Sequence, residues 1–353
     1  MWAESVNWLG GGHQTHEPVL LVRRAGEEML RANLLYAPSR IFTASAANRT
    51  GPGWMDGAGV QMNKREILID AGSGLPFFEE SDLYPACGEE TSFACLDGKR
   101  ALRFSEGSYF HDRQVLIDYE TEERWAGPSA GCAGDRLPAF RAALDGRKDV
   151  KIALLGDSIS CGANASGFTG AVPHQPPFFR LYEHLLGELT GATATVVNFS
   201  KGGMTAGWGV GQVDQVIRAE ADLVILAFGM NDASEKITVA EFTDHIRTMR
   251  DAVQSSPHTE VVVLSGMSPN PQWHLQEVPR RQEFHDSLWH LASERTVICD
   301  VRSVWDHMVS RKGFWSMTGN GINHPNDFGH RIYADCLLSS TLPARCLRKR
   351  NAR

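Results

Sequence analysis

The chain has 353 residues, 42% of them hydrophobic and 22% charged, with 42 acidic against 35 basic side chains and a net charge of −7. At ~100–200 residues per domain, that length points to two domains of ordinary globular composition. The acidic balance leaves no broad cationic surface, which argues against nucleic acid and anionic membranes as partners.

The seven cysteines, Cys87, Cys95, Cys132, Cys161, Cys299, Cys336 and Cys346, form no Cys-x-x-Cys pair. No zinc site, other metal or cofactor is therefore expected. Cys299 and Cys336 sit in apolar surroundings and read as core thiols. Free thiols, an N-terminus without a basic and then apolar leader, and the absence of an apolar run of ~20 residues point to the cytoplasm. Arg345, Arg348, Lys349, Arg350 and Arg353 make a basic tail, read as a solvated end. A homo-oligomer is left open.

Residues 1–125 carry short β-prone runs at Val19–Arg23, Arg40–Ala44, Glu66–Asp70 and Gln114–Asp118. Gly, Pro, Asn and Ser clusters such as 48–53 and 70–74 separate them, and Glu27–Leu34 is the one helical candidate. This pattern predicts a β-sandwich of the jelly-roll sort as an accessory domain. Residues 126–148 read as a linker with a short helix at Pro138–Leu144.

From residue 149 to 345 the pattern becomes α/β. Apolar runs at Lys151–Leu155, Ala194–Asn198, Leu223–Ala227, Glu260–Leu264 and Thr296–Asp300 predict strands. Helical spacing follows at Phe178–Leu189, Gln212–Ala221, Val239–Ser255, Arg280–Glu294 and Asp327–Leu338. Apolar strands alternating with helices imply a parallel sheet covered on both faces, with ligands outside the carboxyl ends of the strands. Residues 346–353 form the tail.

Polar signals fall at those strand ends. Gly156-Asp157-Ser158-Ile159 follows the first α/β strand and exposes a serine on a tight turn. Asn198-Phe199-Ser200-Lys201-Gly202-Gly203 follows the second, where adjacent glycines let backbone approach a ligand. Gly229-Met230-Asn231-Asp232 follows the third, offering the Asn231 amide as a donor for a developing oxyanion. Asn323-His324-Pro325-Asn326-Asp327 precedes the last helix, and the proline holds His324 in extended backbone as a candidate general base. Each segment alone also reads as a turn or helix cap. Their succession in this order is what carries weight.

That succession resembles the SGNH/GDSL hydrolase family over about residues 150–345. The resemblance implies a flavodoxin-like three-layer fold and metal-free ester hydrolysis. It makes Ser158 the nucleophile and His324 the base. The Ser158 and Gly203 N–H groups and the Asn231 side chain become the oxyanion hole. One departure stands out: the family's usual Asp, three residues before the histidine, is Gly321 here. A Ser–His dyad is therefore expected. Asp157, Asp327 and Asn320 are the supporting candidates, and Asp327 also reads as a cap of the last helix.

A β-rich region ahead of such a domain is similar to the family 2 carbohydrate acetylesterases. That likeness implies removal of small acyl groups, acetyl first, from a sugar or oligosaccharide. Trp208, Trp273 and Trp315 are the candidate sugar-stacking residues. The alternatives are a thioesterase or lysophospholipase of the same family, or a non-catalytic carbohydrate-binding protein on an esterase scaffold.

Overall fold

The computed structural model describes residues 12–47, 53–131, 136–146, 148–235 and 237–343. Cys132, Cys346, the breaker at 48–52 and the basic tail lie outside the described residues.

Eleven strands are described before residue 122. They are β1 Gly12–Leu20, β2 Val22–Arg23, β3 Met29–Asn33, β4 Arg40–Ala46, β5 Trp54–Asp56, β6 Gln61–Asn63, β7 Glu66–Asp70, β8 Phe78–Glu79, β9 Ser92–Ala94, β10 Ala101–Arg103 and β11 Gln114–Thr121. One sheet runs β1-β11-β4-β5 and is antiparallel throughout. A second runs β6-β7-β3-β2-β8 and is antiparallel except where β2 meets β8. Strands β9 and β10 form a separate ribbon.

Val19, Ala44, Val115, Ile117 and Tyr119 from the first sheet share one buried cluster with Leu30, Ala32, Ile67 and Ile69 from the second. The Glu27–Leu34 stretch is not a helix. Its core is β3, where Leu30 and Ala32 are buried while the alternate positions face outward. Burial with a period of two overrides a helical-looking composition.

The second half contains β12 Val150–Gly156, β13 Ala194–Asn198, β14 Leu223–Ala227, β15 Glu260–Leu264 and β16 Thr296–Cys299. These five pair in parallel in the order β13-β12-β14-β15-β16. That is the 2-1-3-4-5 order of a flavodoxin-like sheet, whose switch point lies beside the first strand.

Both faces are covered, as the unbroken apolar runs require. Ile152, Leu154, Ile225, Val262 and Val297 pack with apolar residues of the helices Phe178–Thr190, Val301–Lys312 and Asp327–Thr341. Ala153, Leu155, Val224, Leu226 and Val263 pack with those of Val213–Arg218, Val239–Val253 and Val278–Leu288.

The first of these clusters also contains the buried residues of the two N-terminal sheets, so the two halves share continuous apolar packing. Where they meet, Lys312 forms a fully buried ion pair with Glu17. The expected linker helix is present at Pro138–Asp145, with Phe140 and Leu144 buried. Among the described residues, no helix is long and apolar enough to cross a membrane. Cys299 and Cys336 are buried free thiols, and burial pushes Cys299 up to about 12.

Candidate active site

Strand β12 runs straight into the turn that carries Ser158. Asp157 caps the short helix Ser158–Cys161, its Oδ1 accepting the Ile159 N–H at 3.0 Å. The cap fixes the backbone on both sides of the serine. Ser158 stays half-buried at the carboxyl edge of the sheet, and its Oγ lies 2.9 Å from His324 Nε2.

His324 comes from the loop ahead of the Asp327–Thr341 helix. Thr318 pairs with Pro325 in an antiparallel bridge, and the His324 carbonyl accepts from Gly319 N at 3.0 Å and Thr318 Oγ1 at 3.1 Å. The His324 N–H donates to Asn320 Oδ1 at 3.1 Å.

The imidazole is held at its other nitrogen by a residue the sequence reading did not single out. Nδ1 lies 2.7 Å from Asn164 Oδ1, and Asn164 Nδ2 donates to the Gly319 carbonyl at 3.1 Å. Because the amide nitrogen is committed to Gly319, Oδ1 faces the ring as an acceptor. Nδ1 therefore carries the proton, and Nε2 is left to accept from the serine hydroxyl. Asn164 is fully buried and has φ of 59°, a left-handed conformation that asparagine tolerates better than most residues. A carboxylate, Glu106, also reaches this nitrogen, with Oε1 at 3.4 Å from Nδ1.

Gly203 has φ of 76°, and a Cβ there would meet nothing within 4 Å, so its backbone borders open space. Next to it, a Cβ on Gly202 would lie 3.6 Å from the Ser158 Cβ, which sets this turn against the serine. Asn198 steadies the turn, with Nδ2 donating to Ser160 O at 2.7 Å and Oδ1 accepting from Ser200 N at 3.0 Å. Asn231 opens the next strand-end segment, and its Nδ2 donates to Met204 O at 2.9 Å. That bond uses one N–H and aligns the amide beside Gly203, leaving a second N–H on the same nitrogen. Asp232 Oδ1 accepts Ala206 N at 2.9 Å and ties the two segments together.

The supporting candidates take other places. Asp327 does not touch the imidazole. Its Oδ1 accepts the Ser166 N–H at 2.7 Å, and the N-cap of the last helix is Asn326. Asn320 turns its Oδ1 to the N–H groups of Ile322, Asn323 and His324, so it orders the loop and not Nδ1. Trp273 is 5% exposed and packs with Cys95, Leu102 and Ile322, which removes its faces from any ligand. Trp315 stacks on Phe110 at 6.1 Å between centroids, and Trp208 packs against the far-face core while remaining half-buried.

Asp157 and Asp232 lie buried behind the serine. Burial pushes Asp157 up to about 7, and the Asp232 carboxyl adds to the effect; burial likewise raises Asp232 to about 6. An acid whose folded-state pKa lies above its unfolded value of about 4 stabilises the fold below pH 4, and that contribution is lost as pH rises through 7. Asp157→Asn keeps the oxygen that accepts from Ile159. It is expected to raise the unfolding midpoint at pH 8 by a few degrees and to change it little at pH 4, as thermal melts at the two pH values would read.

The flavodoxin-like sheet thus carries a hydroxyl and an imidazole in contact at its carboxyl edge. The model of the GDSL-like lipase/acylhydrolase family matches residues 154–332, and the chain belongs to that family. No curated protein matches the sequence.

Among solved structures, the chain is similar to a GDSL-like lipase from Parabacteroides merdae at 18% identity, covering 55% of this chain and 96% of that one with a TM-score of 0.48. It is similar to a two-domain esterase active on acetylated mannans at 21% identity, covering 63% and 55% of the two chains with a TM-score of 0.47. A third is an acetylxylan esterase from Geobacillus stearothermophilus at 17% identity, covering 54% and 94% with a TM-score of 0.46. Among the described residues, no group of three or more His, Cys, Asp or Glu side chains is gathered as metal ligands.

Proposed function

We propose that the protein is a serine esterase that removes small acyl groups, acetyl first, from a hydroxylated alcohol of the carbohydrate class. The observation that carries this reading is the 2.9 Å contact between Ser158 Oγ and His324 Nε2 in a GDSL-family domain.

In the proposed reaction, Ser158 Oγ attacks the ester carbonyl while its proton passes to Nε2 of His324. The carbonyl oxygen becomes an oxyanion that accepts from the N–H groups of Ser158 and Gly203 and from the spare N–H of Asn231. The C–O bond to the alcohol then breaks, and Nε2 returns the proton to the departing oxygen. Water, deprotonated by the same nitrogen, releases the acid and restores the serine.

The acyl-size argument comes from the rim. Lys201, Gly202 and Gly203 are exposed, and Ser158 is bordered by Gly202 and the His324 imidazole. That surface offers little apolar burial to a long chain, at ~0.8 kcal/mol per methylene, and suits a polar alcohol. The β-rich region is read as a jelly-roll-like accessory unit beside this rim.

The test is a series of p-nitrophenyl esters, followed by acetate release from acetylated sugars and oligosaccharides. The expected result is the highest kcat/KM on acetate, falling as the acyl chain lengthens. A preference for octanoate would favour a thioesterase or lysophospholipase instead, and no turnover of any ester would favour a carbohydrate-binding role.

A further inference from the structure

The family's usual carboxylate is replaced by Gly321, and the surrounding packing gives a physical reason. Gly321 has φ of 87°, and a Cβ at this position would collide with the Arg103 carbonyl oxygen. Arg103 ends strand β10, so backbone of the β-rich region occupies the space an aspartate would need. The same segment stays on the loop. Ser105 N donates to Asn320 O at 3.2 Å, and Asn320 Nδ2 lies 3.4 Å from Glu106 Oε1. Three residues beyond Arg103, Glu106 arrives 3.4 Å from His324 Nδ1.

We infer that the role of the missing acid is divided between two residues. Asn164 fixes the orientation and tautomer of His324, and Glu106, delivered by the β-rich region, supplies the negative charge that balances the imidazolium. Both are positioning residues acting through His324, and the inference rests on the esterase reading above.

The geometry favours this division. The short 2.7 Å contact goes to the neutral amide, which directs a ring proton but carries no net charge. The carboxylate stands at a distance that suits Coulombic attraction better than a second strong hydrogen bond. Burial pushes Glu106 up, yet contacts with His324, Asn320 and Asn164 outweigh it and hold the carboxyl below its ordinary range. It is therefore ionised at neutral pH. The β-rich region also grips Asn164, through His111 Nε2 at 3.0 Å from the Asn164 carbonyl oxygen. Both supports of the base thus depend on this region, which makes it part of the catalytic unit.

The test uses full-length protein with Glu106→Gln, Asn164→Asp, their double variant and Ser158→Ala. Glu106 is exposed, so Glu106→Gln is expected to fold normally. Removing its charge should lower kcat on the order of tenfold with KM unchanged. The downfield Nδ1 proton resonance of His324 should move in the same variant. In the Asn164→Asp background a carboxylate already faces Nδ1, so adding Glu106→Gln should cost less than about threefold. The inference is overturned by an unchanged kcat and an unmoved resonance in Glu106→Gln. It is also overturned if the full tenfold loss persists in the Asn164→Asp background, because the carboxylate would then act on something other than His324. Ser158→Ala separates the two levels. Activity surviving there removes the esterase reading itself, whereas an inactive Ser158→Ala with an unaffected Glu106→Gln removes only the role of Glu106.

Discussion

Replacing Ser158 by alanine is expected to lower kcat on small esters by about five to six orders of magnitude while leaving the fold intact. The variant keeps the Cβ against which Gly202 packs and loses only the oxygen that contacts His324 Nε2. Alanine is also a better helix former than serine at the start of the short Ser158–Cys161 helix. Unchanged circular dichroism and an unchanged melting midpoint would show that the loss is chemical.

The proposed oxyanion donors would survive, so a residual rate above that in water is expected. His324→Ala should reach a similar floor, and combining it with Ser158→Ala should lower the rate little further, since the pair acts as one unit. Initial rates on p-nitrophenyl acetate, with burst titration to exclude traces of wild-type enzyme, read all three variants. Wild-type-like turnover in Ser158→Ala would mean that another group is acylated.

How far the sequence could lead depended on what set each feature. The five parallel strands were legible because both faces are buried, giving continuous apolar runs such as Ile152–Leu155 whose ends are marked by polar turns. The segments at Ser158, Gly203 and Asn231 were legible because each directly follows a parallel strand, and His324 because Pro325 and the start of the last helix mark its loop.

The helix Val301–Lys312 was not anticipated. It carries charges at Arg302, Asp306, Arg311 and Lys312, which break the apolar pattern, and the burial of Lys312 depends on Glu17 from the β-rich half. Strand β3 was misread for a related reason, because pairing with β2 and β7, not local propensity, sets its conformation.

Asn164 and Glu106 lie 160 and 218 positions before His324, and no spacing rule joins residues so far apart. For Asn164 the local sequence held little signal. For Glu106 there was a trace: Gly321 in place of an acid implied that charge, if used, must come from elsewhere. Trp273 shows the opposite case. It is placed near the active edge by sequence, yet its burial among Cys95, Leu102 and Ile322 makes it packing.

Lys312→Met is expected to destabilise the protein by about 3–5 kcal/mol, among the larger effects a single substitution can have here. Both members of the Lys312–Glu17 pair have fully buried side chains, one at the end of the Val301–Lys312 helix and the other in β1. Lys312 Nζ also donates to Pro18 O at 3.1 Å. Glu17 accepts from Leu35 N at 2.8 Å and Tyr119 Oη at 2.6 Å. Burial pushes Lys312 below its ordinary pKa, and the Glu17 carboxylate opposes that shift.

Methionine fills most of the lysine stem's volume, so the main cost is a carboxylate left without its cation inside an apolar interface. Glu17→Gln added to Lys312→Met removes that charge and should recover a large part of the loss, because the amide oxygen can still accept from Leu35 N while its NH2 turns to the Tyr119 hydroxyl as a donor. Denaturant unfolding of the two variants reads the difference. A Lys312→Met midpoint equal to that of wild type would show that the pair is solvated in solution and contributes nothing to docking the halves. The expected drop has a functional counterpart, since the β-rich half also carries Glu106 and His111. At temperatures where Lys312→Met loosens that half, kcat should fall before the parallel sheet unfolds, giving an inactivation midpoint below the global melt.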